Sequence, residues 1–298
     1  MKRKIIYCTA TCLLICSLAA CGEHHHVYTN ADCTSDTVCS ECGDIVEEAL
    51  GHTTEIGVCL RCDKMQNEEL VGSLNTAFSE IMDVGTELIS CVSGIDNLKA
   101  EEQYKRFTLA DEYTASMNEL YTDIIDLCYG KSELTGMVYQ LKLLQNSCPD
   151  AILGSDTTSI ANQIVLYQLY LQQISSSFGF LSEYMDYLAG NCELPDSIIY
   201  FDEVVGMPTP DSVIYGITLD SEMSDSGVKQ YMYIIGEDET DASMNYNIYL
   251  SAVELVDGLR VNITDSYVSV EKDGTMVSAM MAGTDPIKGY FLIISFQE

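Results

Sequence analysis

From Gln66 to Leu188 the apolar residues recur every three or four positions, and beyond Met207 they give way to short runs rich in β-branched and aromatic residues. That change of period admits few folds: amphipathic helices that each bury one stripe, followed by an antiparallel sheet. The helical stripes begin with Leu70, Leu74, Phe78, Ile81 and Leu88, pass through Tyr113, Met117, Leu120 and Ile124, and end on Ile160 to Leu188. They are interrupted at Gly94 to Ala100, at Tyr129 to Ser132 and around Pro149, which cannot continue a helix. Four amphipathic helices with short connections predict an antiparallel four-helix bundle over residues 66–190.

Residues 196–298 read differently. The runs "SVIYGITL", "VKQYMYIIG", "LRVNIT", "SYVSVEK", "TMVSAMMA" and "YFLIISF" have strand composition, and Asp273-Gly274 between two of them is a hairpin signal. After the second run, "ETDASMNYNIYLSAVELVDG" carries Tyr246, Tyr249, Leu250 and Val253 on one helical face and stops at Gly258. The expected order is β-β-α-β-β-β-β, an antiparallel sheet with one packed helix. The acidic stretch "GEDETDA" lacks the ligand order of an EF-hand and reads as the start of that helix, where carboxylates favour the dipole.

Local chemistry concentrates in "CSECGDIVEEALGHTTEIGVCLRC", which holds two C-x-x-C pairs sixteen residues apart. This spacing belongs to zinc sites, because each pair forms a tight turn that aims two thiolates at one point. Gly43 after Cys42 eases the first turn. A segment of some forty residues has too little core to fold without a staple. The expected metal ligands are Cys39, Cys42, Cys59 and Cys62. A second pattern surrounds them: His26 precedes Cys33 by seven residues, and His52 precedes Cys59 by the same seven. The two stretches read as degenerate copies of one unit, the second lacking a cysteine of the first. His, Cys and CxxCG in series resemble the zinc-ribbon-like modules at the front of some Gram-positive surface proteins. His26, Cys33 and His52 are then supporting groups or members of an alternative or additional site. Disulfides are the rival reading, since exported proteins meet an oxidising environment.

The beginning of the chain supplies that compartment. Lys2, Arg3 and Lys4 precede the apolar run "IIYCTATCLLICSL", which closes on "LAAC", Leu18 to Cys21, with Gly22 following. Small residues before a cysteine after such a run resemble the lipobox of bacterial lipoproteins. The resemblance implies cleavage before Cys21 and a diacylglyceryl group, with palmitate-type chains, on its sulfur. Two acyl chains suffice for stable anchoring. The protein is therefore expected outside the cell, tethered to the outer leaflet of the cytoplasmic membrane. Of 14 Lys and Arg, the leader takes three, which leaves 11 against 46 acids, a charge of about −35. Such a field repels nucleic acid, so a nucleic-acid partner is excluded.

The expected division is residues 1–20 signal peptide, 21–32 lipidated tether, 33–64 zinc-ribbon-like module, 66–190 helical bundle and 196–298 α+β domain, a multidomain α+β chain. Cys91, Cys128, Cys148 and Cys192 fall near helix ends. An up-down-up-down bundle would pair Cys91 with Cys148 and Cys128 with Cys192; the even alternative is free cysteines packed as small hydrophobes. The tyrosines of the helices are expected to bury their rings at the seams and leave their hydroxyls wet. All four histidines lie between residues 24 and 52, so no Ser-His-Asp or Cys-His set can form within the larger domains. No catalytic residue is assigned. The leading expectation is a non-catalytic, lipid-anchored surface protein with structural zinc and a protein partner. Its alternatives are an extracytoplasmic ligand- or metal-sensing lipoprotein and, third, an enzyme of unknown class.

Overall fold

The computed structural model describes residues 32–40, 43, 45–150, 157–201, 206–263, 267–272, 275–285 and 288–297. The expected leader, Cys21, His26 and Cys42 lie outside the described residues. Among the described residues the fold is mixed helix and sheet, with five α-helices and a six-stranded antiparallel sheet. Contacts divide the chain into two compact units, residues 1–54 with 59–64, and residues 55–58 with 65–298. Residues 66–190 and 196–298, read above as separate domains, both fall in the second unit.

In the first unit, the described residues form β1 (Thr37–Val38) paired antiparallel with β2 (Ile45–Glu47). The second unit opens with β3 (Gly57–Val58) and β4 (Met65–Gln66). Helices α1 (Glu68–Val92), α2 (Ala100–Cys128), α3 (Thr135–Asn146) and α4 (Thr157–Leu188) follow, with breaks where the sequence places them. Their stripes meet in one core: Leu74, Ile81 and Leu88 of α1, Phe107, Met117 and Ile124 of α2, Leu141 of α3 and Ile174 of α4 are almost wholly buried.

The tyrosine expectation needs correction. Tyr121, Tyr167, Tyr170 and Tyr187 bury their hydroxyls together with their rings. The Tyr167 hydroxyl donates to Asp111 Oδ1 at 2.8 Å, those of Tyr121 and Tyr170 lie 3.5 Å apart, and that of Tyr187 reaches the Ile56 carbonyl at 3.0 Å. An unpartnered buried hydroxyl is costly, so these polar tips are bonded internally. The cysteine bridges are also absent. Cys91 Sγ lies 3.1 Å from the Arg106 carbonyl and Cys148 Sγ lies 4.0 Å from that of Thr114. Those carbonyls stand eight residues apart on α2, about 12 Å along its axis, beyond the reach of a disulfide. Cys128 packs its sulfur against Met137 Sδ at 3.7 Å, while Cys192 is exposed beside the Glu183 carbonyl. Burial pushes the Cys128 thiol up to about 12 and Cys148 up to about 11. They behave as small apolar side chains.

After the short pair β5 (Tyr200–Phe201) and β6 (Met207–Pro208) come β7 (Thr218–Asp225), β8 (Val228–Gly236), α5 (Glu239–Glu254), β9 (Arg260–Ile263), β10 (Val268–Lys272), β11 (Thr275–Asp285) and β12 (Gly289–Gln297). The sheet order is β7-β8-β12-β11-β10-β9. The element order matches the expected β-β-α-β-β-β-β. Lys272 pairs with Thr275; Asp273 and Gly274 between them lie outside the described residues. The first strand starts later than the sequence suggests. Pro210 opens a 3₁₀ turn that plants Val213 and Ile214 in the core, and the polar strand "TLDSEMSD" follows. As a sheet edge, β7 needs no buried alternation, and its acids discourage edge-to-edge pairing.

Tyr233, Ile235, Leu292, Ile294, Val277 and Val270 face Tyr249, Ala252 and Val253 of α5 in a second core, which Leu143 of α3 joins. Tyr139 donates to the Ala252 carbonyl at 3.0 Å, so α3 is bonded directly to α5, the helix that packs on the sheet. Asp238 caps α5: its Oδ1 accepts from the amides of Thr240 at 2.8 Å and Asp241 at 3.0 Å. The acidic stretch is thus a helix start. Asp238→Ala is expected to cost about 1 kcal/mol of stability in urea unfolding, and Asp238→Asn much less.

Candidate metal centre

Two knuckle turns share one backbone design. The amide of Gly43 donates to the Cys39 carbonyl at 2.9 Å, and that of Asp63 donates to the Cys59 carbonyl at 2.9 Å. The residue after each C-x-x-C has positive φ, 76° at Gly43 and 54° at Asp63. Glycine meets that requirement freely; Asp63 is one of the residue types that tolerate it. Each C-x-x-C is thus closed by the same backbone hydrogen bond.

The four groups that converge are Cys33, His52, Cys59 and Cys62, whose ligand atoms all lie within 4.8 Å of one another. This set overlaps the expected one in part. Cys59 and Cys62 belong to it, Cys39 is buried but outside it, and Cys42 lies outside the described residues. Cys33 and His52, expected as supporting or additional groups, supply the remaining two positions. The physical reason is strand pairing. The Leu50 amide donates to the Asp32 carbonyl at 3.0 Å and the Ala49 amide to Asp36 Oδ1 at 2.6 Å. These bonds and the β1–β2 pair lay the segment of Cys33 alongside the approach to His52. The Arg61 guanidinium then holds the second knuckle to the carbonyls of Leu50 at 2.8 Å and Gly51 at 3.2 Å. The cysteine missing from the second copy is thus supplied by the first. C-x-x-C spacing carries no signal for that exchange; the lone Cys33 and the seven-residue His-to-Cys interval do.

Thr53 orients Cys59. Its hydroxyl and amide lie 3.4 and 3.5 Å from the sulfur, while the hydroxyl accepts the Leu60 amide at 3.0 Å. Hydrogen bonds from the Thr53 hydroxyl and amide pull the Cys59 thiol down to about 4. Burial, together with Cys59 and Cys62, pushes Cys33 up to about 11. Sulfurs this close oppose one another's ionisation, and a cation among them offsets that repulsion.

Two of the six ligand–ligand edges have the length of a metal tetrahedron's. Cys33 Sγ and Cys59 Sγ are 3.7 Å apart, and Cys62 Sγ and His52 Nδ1 are 3.6 Å apart. A disulfide requires about 2.05 Å. A tetrahedron with metal–sulfur bonds of about 2.3 Å and a metal–nitrogen bond of about 2.0–2.1 Å has edges of about 3.8 Å between sulfurs and about 3.6 Å from sulfur to nitrogen. Cys33 and Cys59 are buried, Cys62 is partly exposed and His52 is exposed, so one edge of the site meets solvent. No helix among the described residues is long and apolar enough to cross a membrane. No protein-family model, curated protein or solved structure matches the chain.

Proposed function

We propose that residues 33–64 form a zinc-ribbon-like module whose single structural zinc is held by Cys33, His52, Cys59 and Cys62. The observation that carries the reading is the pair of tetrahedral edges, 3.7 Å between sulfurs and 3.6 Å from sulfur to imidazole. Zinc suits three thiolates and one imidazole in tetrahedral array, and a cluster with all four ligands from protein is the structural type. A histidine has no purpose in a disulfide pair.

The module belongs, in this reading, to a lipid-anchored bacterial surface protein with a non-catalytic interaction or structural role. The lipobox-like "LAAC" ending at Cys21 and the charge of −32 support that placement. Helices α1–α4 act as an antiparallel four-helix spacer, and the terminal sheet presents the contact surface for a protein partner. A second reading, metal sensing, draws on the solvent-facing edge formed by His52 and Cys62.

Metal analysis of the purified chain with a thiol count under alkylation tests the proposal. One equivalent of zinc, with Cys33, Cys59 and Cys62 protected until a chelator is added, is expected. Metal-free protein with those sulfurs oxidised contradicts it. Fast zinc exchange with a weak chelator would shift the role from structure to sensing.

A further inference from the structure

The six-stranded sheet turns one face to α5, and its other face differs in composition from the rest of the chain. Tyr233 and Ile235 of β8, Leu292 and Ile294 of β12, and Val277 and Ala279 of β11 belong to the second core. Successive strand residues alternate between faces, so Met232, Ile234, Phe291, Ile293, Met276 and Met280 lie on the opposite side. None of these six belongs to either hydrophobic core. Met276 is 63% exposed and Met280 39%, while Met232, Ile234 and Ile293 are half-buried and Phe291 is buried.

Strand register sets this face out in rows. Met232, Ile293 and Met280 stand side by side across three strands, and Ile234, Phe291 and Ala282 form the next row. A third row is polar without charge: Gln230, Ser295, Ser278, Ser269 and Asn262. Along β8, β12 and residues 275–282 of β11, the outward positions hold no charged side chain. Towards the β9 edge, Glu271 stands opposite Arg260, so that border is neutral as well. In a chain with 46 acidic and 14 basic residues, such a surface is the exception.

We infer that this face packs against the same face of a second copy of the chain, closing a two-fold dimer. The acidic remainder of the molecule repels a copy of itself, whereas these rows carry nothing that does. A basic partner would find no unpaired carboxylate on them. Sheets that pack face to face keep their strands nearly aligned. A two-fold axis along the strands then lays each row on the same row of the other copy, apolar on apolar and hydroxyl on hydroxyl. At about 4.8 Å between strands and about 3.3 Å per residue, the six strands present roughly 700 Å². A standard interface takes about 800 Å² from each partner, so the area is of the right size. The methionines supply side chains that adapt to an opposing surface.

The inference rests on the reading of the sheet as contact surface, and sedimentation equilibrium of the full chain separates the two. At about 50 µM the mass should approach twice 32.9 kDa. Raising salt from about 0.05 M to about 0.5 M should tighten the dimer, because it screens the repulsion between two chains of charge −32. Met280→Glu and Ile293→Glu should each weaken association about tenfold or more, while Met82→Glu, exposed on α1, should not. Met280 is exposed, so its variant decides if Ile293→Glu fails to fold. A chain that stays monomeric overturns the second copy as occupant but not the contact role of the sheet. A dimer that salt weakens overturns the inference. A dimer indifferent to both sheet variants overturns it and removes the contact role from the sheet.

Discussion

Replacing Cys59 with serine in the zinc-ribbon-like module proposed above is expected to abolish metal binding and, with it, the fold of the first unit. Cys59 is wholly buried, lies 3.7 Å from Cys33 Sγ and is cradled by Thr53. A serine hydroxyl is a poor zinc ligand at neutral pH and leaves Thr53 without the sulfur it is aimed at. Structural zinc contributes on the order of 10 kcal/mol or more to the folding of small modules. Losing one of four ligands should therefore weaken metal binding by roughly two to three orders of magnitude. Zinc content after desalting should fall from one equivalent to below about a tenth. Amides of residues 45–54 and 59–64 should exchange as in an unfolded segment. Cys192→Ser, at an exposed thiol, should change nothing. Cys39→Ser is the sharper control: it should leave this zinc in place, whereas a site built on Cys39 would lose it.

The second large effect is expected at a backbone crossing in the sheet unit. Gly289 opens β12 with φ at +93°, and a Cβ there would collide with the Gly236 carbonyl. A Cβ at Gly236 would in turn meet the Ala242 amide nitrogen of α5 at 2.5 Å. Three elements thus meet where there is no room for a side chain, and backbone cannot yield as a flexible side chain does. Gly289→Ala should cost about 3 kcal/mol, combining strain at positive φ with overpacking. That is a large share of the 5–15 kcal/mol typical of a folded domain, and it should appear as a lowered urea midpoint by circular dichroism. Gly72→Ala in α1, where a Cβ meets nothing within 4 Å, should instead stabilise by up to about 1 kcal/mol. The same chemical change then has opposite signs at two sites, which composition alone does not predict.

What the sequence makes legible here is periodic or punctuated. Helix limits follow Gly94, Gly130 and Pro149 because backbone constraints act locally. The order of strands and α5 follows the change of apolar period, and Asp238 declares itself as a cap through short-range hydrogen bonds. What stays hidden depends on long-range pairing. Cys33 reaches Cys59 across twenty-six residues only because the backbone of Asp32 to Val38 pairs with that of Ile45 to Leu50. Those bonds leave no trace in cysteine spacing. The union of helices and sheet is equally silent, since Tyr139 and Leu143 belong to a helix stripe yet serve the second core. Strand β7 escapes a composition reading because an edge strand may be polar throughout.

X-ray absorption at the zinc edge of the purified protein addresses the ligand set itself. The tetrahedron of Cys33, His52, Cys59 and Cys62 should give three sulfurs at about 2.3 Å and one nitrogen at about 2.0–2.1 Å, with imidazole outer-shell scattering. Four sulfurs without imidazole scattering would mean that His52 is no ligand and that the metal sits on another set of cysteines.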